Sequence, residues 1–137
     1  MSGSGQVPLT EEELADLYKK GVDKDLSTLG TLLGDLKACT DNGAELLEQA
    51  RAVVHNVKGQ GTSFGYPLMT RIGESYYALL KFQASQEELE PVVVKLYEAH
   101  LTAMKSIIEN QIRGEGPELL HRVATSLKEK VDLVVNR

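Results

Sequence analysis

Ala44-Glu45-Leu46-Leu47-Glu48-Gln49-Ala50-Arg51-Ala52-Val53-Val54-His55-Asn56-Val57-Lys58-Gly59 is the stretch on which the reading of this chain turns. Wound at about 100° per residue, Leu46, Leu47, Ala50, Val53, Val54 and Val57 converge on one stripe, which predicts an amphipathic helix over about residues 42–62. His55 falls nearly opposite that stripe, on the wet side. One turn away lie Arg51 and Lys58, both cationic, and Ala52 and Gly59, both tiny. The imidazole is therefore flanked by charge and open to a partner.

Those surroundings suit a phosphoryl acceptor. An imidazole is a nucleophile, and nearby positive charge favours the phosphohistidine dianion once it forms. Glycine inside a helix costs about 1 kcal/mol relative to alanine, so Gly59 and Gly61 either end the helix or meet a demand for close approach. Close approach is the reading preferred for Gly59.

The rest of the chain repeats the helical period. Thr10 and Glu13 make a capping box, and Leu14, Leu17 and Tyr18 mark a short helix that Gly21 is expected to end. A second helix is expected from about Asp23 to Cys39, although the same pattern allows one long bent helix. Gly30 and Gly34, four apart, allow close helix packing there. Asp41-Asn42-Gly43 supplies a turn before the His55 helix. Pro67 opens a helix ending near Phe82, and Ser85 with Glu88 offers a capping box for a long helix reaching about Arg113. After Gly114 and Gly116, Pro117 starts a last helix with Leu120, Val123, Ala124, Leu127, Val131 and Val134 on one face. Long amphipathic helices joined by short loops point to an all-α fold, an antiparallel up-and-down four-helix bundle with an additional N-terminal helix.

Composition agrees. With 137 residues and 42% hydrophobic content the chain suits one domain, residues 9–137, behind a flexible N-terminal tail, residues 1–8. Aromatics are only 5% and tryptophan is absent, so Leu, Val, Ile and Ala must build the core, as in packed helices. A net charge of −5 argues against a nucleic-acid footprint or a polybasic membrane patch, which leaves proteins or small molecules as partners. Cys39 is the only cysteine, no stretch approaches about 18 apolar residues, and the start lacks a signal-peptide pattern. A cytoplasmic protein is expected.

Other candidates have simpler readings. His100 winds onto the stripe of Val93, Leu96 and Met104, as a hydrogen-bonded core histidine would; His121, beside Arg122, reads as a surface residue. Neither has a zinc-like spacing, so no metal is expected. Lys58-Gly59-Gln60-Gly61-Thr62 has the wrong order for a phosphate loop. Glu11-Glu12-Glu13 and Glu87-Glu88 suit first helical turns, and Tyr76 and Tyr77 are expected to fill or edge the core rather than stack on a ligand.

His55, followed by Lys58, Gly59, Phe64 and Gly65, resembles the signature of the histidine-containing phosphotransfer (HPt) family: a histidine, then lysine and glycine at the third and fourth positions, then a large apolar residue and glycine. About eleven residues carry the match, and the helical pattern extends it over most of the chain. Gln60 departs from the family, many of whose members have a small residue there. The resemblance implies a phosphorelay intermediate that takes a phosphoryl group on His55 from a receiver-domain aspartate and passes it to another receiver. With it go charge stabilisation by Lys58, with Arg51 as a second candidate, clearance at Gly59, and docking over Ala52, Phe64 and Tyr66; Gln60, which winding places off the His55 face, is a further candidate for hydrogen-bonding near the imidazole or orienting it. The resemblance implies no cofactor of the chain's own, Mg²⁺ being supplied by the receiver, and partners that are response-regulator receivers or a hybrid histidine kinase. A self-contained bundle favours a monomer. Two readings compete: an HPt-like adaptor that binds receivers or kinases without being phosphorylated, and the phosphoacceptor domain of a histidine kinase, which lacks here its ATP-binding domain and has Asn56 where an acidic residue usually follows the histidine.

Overall fold

Thr10 sits in extended backbone, and its hydroxyl accepts from the Glu13 amide at 3.1 Å while the Glu13 carboxylate accepts from the Thr10 amide at 3.2 Å. This capping box satisfies two otherwise orphaned N–H groups and starts the first helix, with three glutamates in the turn where the helix dipole favours negative charge. The computed structural model describes residues 9–39 and 41–137; the expected tail lies outside the described residues. It is all-helical there, with five α-helices and no strand: α1 Glu11–Ala38, α2 Gly43–Gln60, α3 Pro67–Gln83, α4 Pro91–Glu109 and α5 Glu118–Val135, with a 3₁₀ turn at Thr62–Phe64 after α2.

Gly21 does not end a helix. The two helices expected before residue 40 are one, as the alternative reading allowed. Glycine weakens a helix by only about 1 kcal/mol, whereas Tyr18, Val22 and Leu26 on either side are buried, each fully buried apolar side chain contributing about 1.5–3 kcal/mol. Nor do Gly30 and Gly34 serve close packing, since a Cβ at either would meet nothing within 4 Å.

The capping box expected at Ser85 and Glu88 is absent. Ser85 instead donates its hydroxyl to the Phe82 carbonyl at the end of α3, and α4 begins at Pro91 behind an extended Glu90. Proline disfavours helical backbone in the residue before it and suits the first helical position, so the start moves past Ser85. At its other end α4 stops at Glu109, short of Arg113. The Gln111 amide bonds the Ile108 carbonyl at 3.1 Å, the Ile112 amide bonds the Ile107 carbonyl at 2.9 Å, and Gln111 turns left-handed at φ 49°. This pattern is a Schellman cap.

The buried faces of all five helices share one apolar cluster, with Leu26, Leu29, Met69, Ile72, Leu79, Met104 and Ile107 among its most enclosed members. α1 touches α2 and α4, α2 touches α3, and α3 touches α4; α5 lies against α3 and α4 and does not touch α2. The polar ties show how the chain runs. The Tyr18 hydroxyl donates to the Val57 carbonyl at 2.8 Å while Cys39 lies beside Gly43, so α1 and α2 run in opposite directions. The Tyr97 hydroxyl donates to the Leu79 carbonyl at 3.3 Å and Ser75 meets His100, so α3 and α4 do too. Arg71 meets His121 and Thr125, and Phe82 meets Arg137, so α5 runs parallel to α3.

Candidate functional site

α2 and α3 are laid against each other in a register fixed by two glycines. At the junction, a Cβ on Gly61 would meet Thr70 Oγ1 at 2.6 Å and the Tyr66 carbonyl at 2.8 Å. The Thr62 amide donates to Thr70 Oγ1 at 2.9 Å, and the Tyr66 amide donates to the Gly61 carbonyl at 2.7 Å. Further along, a Cβ on Gly73 would meet the Cβ of Lys58 at 2.6 Å. One turn beyond Gly73, Tyr77 stands beside His55. The pairs Gly61 with Thr70, Lys58 with Gly73 and His55 with Tyr77 describe an antiparallel helix hairpin with no side chain between its backbones at Gly73.

His55 is exposed on the outer face of α2. With Glu48, Arg51, Ala52 and Asn56 from the same helix and Tyr77 from α3 it lines a shallow, open depression of about 500 Å³. The imidazole and the Tyr77 ring have centroids 6.2 Å apart and planes tilted by 51°. The Lys58 ammonium rests over the same Tyr77 ring, 5.2 Å from its centroid. Gly59 is exposed one turn from His55, and a Cβ there would meet nothing within 4 Å, so the fold itself makes no demand for glycine at this position.

His55, Arg51 and Ala52 thus share one surface, and Lys58 joins it through Tyr77. Gln60 points elsewhere: it lines a groove between α1 and α2 with Leu17, Tyr18, Gly21 and Asn56. Phe64 and Tyr66 also lie apart from the depression. Both stack on Tyr18 of α1, each with ring centroids 5.5 Å away, at interplanar angles of 16° and 28°. Tyr66 is only 1% exposed, so it belongs to the core rather than to the rim of a docking surface. Gly65, at φ 92°, takes the left-handed conformation that closes the 3₁₀ turn and lets Phe64 reach Tyr18. The Phe64-Gly65 half of the sequence signature therefore holds the end of α2 against α1.

Tyr77 is the neighbour that sequence reasoning missed. Winding puts Tyr76 on the stripe of Leu68, Met69, Ile72, Leu79 and Leu80 and Tyr77 about 100° away, but it does not say which helix Tyr77 faces. Tyr76 takes the core, 2% exposed, which leaves Tyr77 half-buried against α2.

The other two histidines do different work. His100 is fully buried; its Nδ1 lies 2.6 Å from the Leu96 carbonyl and its Nε2 lies 2.8 Å from the Ser75 hydroxyl. Burial lowers its pKa below the ordinary value, partly opposed by the bond to Leu96, so the ring is held neutral and bonded in the core. His121 Nδ1 accepts from Arg71 at 2.9 Å at the α3–α5 contact. Among the described residues no group of three or more His, Cys, Asp or Glu side chains is arranged to hold a metal ion. No helix among them is long and apolar enough to cross a membrane.

Comparison with family models, with curated proteins and with solved structures finds no match to this chain.

Proposed function

We propose that this chain is a histidine phosphotransfer protein of a two-component phosphorelay, with His55 as phosphoacceptor. One observation carries the reading: an exposed imidazole on a packed helix, with a lysine one turn on, small residues at Ala52 and Gly59, and an open depression before it. The antiparallel up-and-down bundle of the HPt family belongs to the same reading. In this reading the contacts of α1 with α2 and α4, of α2 with α3 and of α3 with α4 support a ring of α1 to α4, with the N-terminal helix as one of the four and α5 packed outside.

Transfer runs as an in-line displacement. A receiver docks over the depression and presents its aspartyl phosphate; a lone pair of the imidazole attacks phosphorus, an N–P bond forms, and the bond to the carboxylate oxygen breaks. The carboxylate leaves with the electron pair, and the proton on the other ring nitrogen passes to solvent. Passage to the next receiver reverses these steps on a second aspartate. Phosphoryl transfer asks mainly for positioning and charge stabilisation, so the chain supplies a fixed nucleophile and the Lys58 cation, while Mg²⁺ and the acidic pocket come from the receiver. Arg51, in the wall of the depression, adds a second positive charge. The chain works in the cytoplasm in this reading, as a monomer with receivers or a hybrid histidine kinase as partners.

The adaptor reading keeps the docking and removes the chemistry. Incubating phosphorylated receivers with wild type and His55→Ala separates the two. The expected result is acid-labile, alkali-stable label on wild type and none on the variant, with unchanged helicity and melting. Receiver binding without label on wild type favours the adaptor, and label on the variant overturns the assignment.

A further inference from the structure

Lys58, the residue assigned to charge stabilisation, makes no hydrogen bond to His55 among the described residues. Its ammonium lies on the face of Tyr77, the ring that also flanks the imidazole. We propose that Tyr77 is the positioning residue of this site: its ring sets the orientation of the His55 imidazole and holds the Lys58 ammonium beside it until negative charge arrives. The proposal rests on the phosphotransfer reading for its catalytic consequence, although the placement of the three side chains stands without it.

Three features carry it. The Gly73 backbone lies so near Lys58 that a Cβ on it would stand 2.6 Å from the lysine Cβ, which sets the start of the lysine side chain against α3 and leaves its far end to extend one turn along, where Tyr77 begins. Lys58 forms no salt bridge among the described residues, so the aromatic face is the partner that holds it, at a distance typical of a cation over an aromatic ring. The Tyr77 hydroxyl makes no hydrogen bond among the described residues, so the ring face is what matters.

The arrangement suits a two-stage task. A histidine on an open helix face has several rotamers, and a ring standing on its α3 flank removes those that swing that way. A cation held only by an aromatic face is released readily, because its bond to a phosphoryl dianion is charge-assisted on both sides and therefore stronger. When His55 gains the phosphoryl group, the ammonium moves from Tyr77 to the phosphoryl oxygens. Tyr77 acts through His55 and Lys58 and touches no reacting atom.

The test compares wild type, Tyr77→Phe and Tyr77→Leu as the full chain. In the unphosphorylated protein, ring-current shifts of the Lys58 methylene protons and of the His55 ring protons are expected in wild type and Tyr77→Phe and absent in Tyr77→Leu. With phosphorylated receivers, Tyr77→Leu is expected to accept phosphate about tenfold more slowly, and Tyr77→Phe at close to the wild-type rate. Equal acceptance by Tyr77→Leu and wild type overturns the positioning role, as do shifts that survive the loss of the ring. If wild type takes no label from any receiver, the phosphotransfer reading fails by itself, and the spectroscopic comparison still decides what Tyr77 does to Lys58 and His55.

Discussion

Gly73 of α3 lies so close to Lys58 of α2 that a Cβ at position 73 would stand 2.6 Å from the lysine Cβ and 3.2 Å from its Cα. The far end of a flexible side chain could swing away from such a clash; backbone and Cβ cannot. Gly73→Ala therefore pushes the two helices apart. Alanine gains about 1 kcal/mol in helix propensity, but overpacking typically costs about 1–3 kcal/mol. With backbone and Cβ unable to yield, overpacking wins, and a net loss of up to about 2 kcal/mol is expected in chemical denaturation. Unchanged stability would show that the α2–α3 spacing adapts freely.

Gly59 provides the opposite case on the neighbouring helix. A Cβ there meets nothing within 4 Å, so Gly59→Ala is expected to stabilise the fold by up to about 1 kcal/mol. If its role is clearance for a receiver, the same variant binds and accepts phosphate less well. Higher melting together with slower transfer identifies clearance as its function; higher melting with normal transfer leaves that role unsupported.

Gln111 adopts φ 49° in the Schellman cap of α4, a conformation that costs a non-glycine residue about 1–2 kcal/mol. Gln111→Gly relieves that strain and loosens the unfolded chain, two opposing effects. The expected balance is a gain of about 0.5–1 kcal/mol in urea unfolding. A loss would mean that the Gln111 side chain makes a contribution larger than the strain.

His100 gives the stability a pH dependence with a definite sign. Burial lowers its folded pKa below the ordinary value of 6.5, so below about pH 6.5 the unfolded chain binds a proton that the folded chain resists. This contribution is fully present above that pH and is lost progressively as pH falls toward the lowered value. Measured from about pH 7.5 to 5, the unfolding free energy of wild type is expected to fall more steeply than that of His100→Leu, in which the Ser75 hydroxyl is free to donate to the Ile72 carbonyl. Parallel profiles for the two proteins would count against a neutral, buried His100.

Much of this organisation is visible in the chain as written. A helical period of apolar residues needs only local backbone geometry, so the stripes of all five helices, the Thr10–Glu13 capping box, the exposure of His55 and the burial of His100 follow from winding alone. Helix ends were less legible. The start of α4 depends on Pro91 outweighing the capping box that Ser85 and Glu88 offer in sequence, and the continuity of α1 through Gly21 depends on burial at Tyr18 and Val22, which offsets a local weakness.

What the sequence determined by itself was the helical class, the polar face that carries His55, and the Lys58 and Gly59 positions one turn from it. Only the tertiary structure decided that Tyr77 stands beside His55, that Phe64 and Tyr66 serve the contact with Tyr18, and that Gln60 faces α1. The reason is physical: winding sets angles within one helix, whereas the rotation of one helix against another is set by where two backbones can approach most closely, and here that point is Gly73 against Lys58.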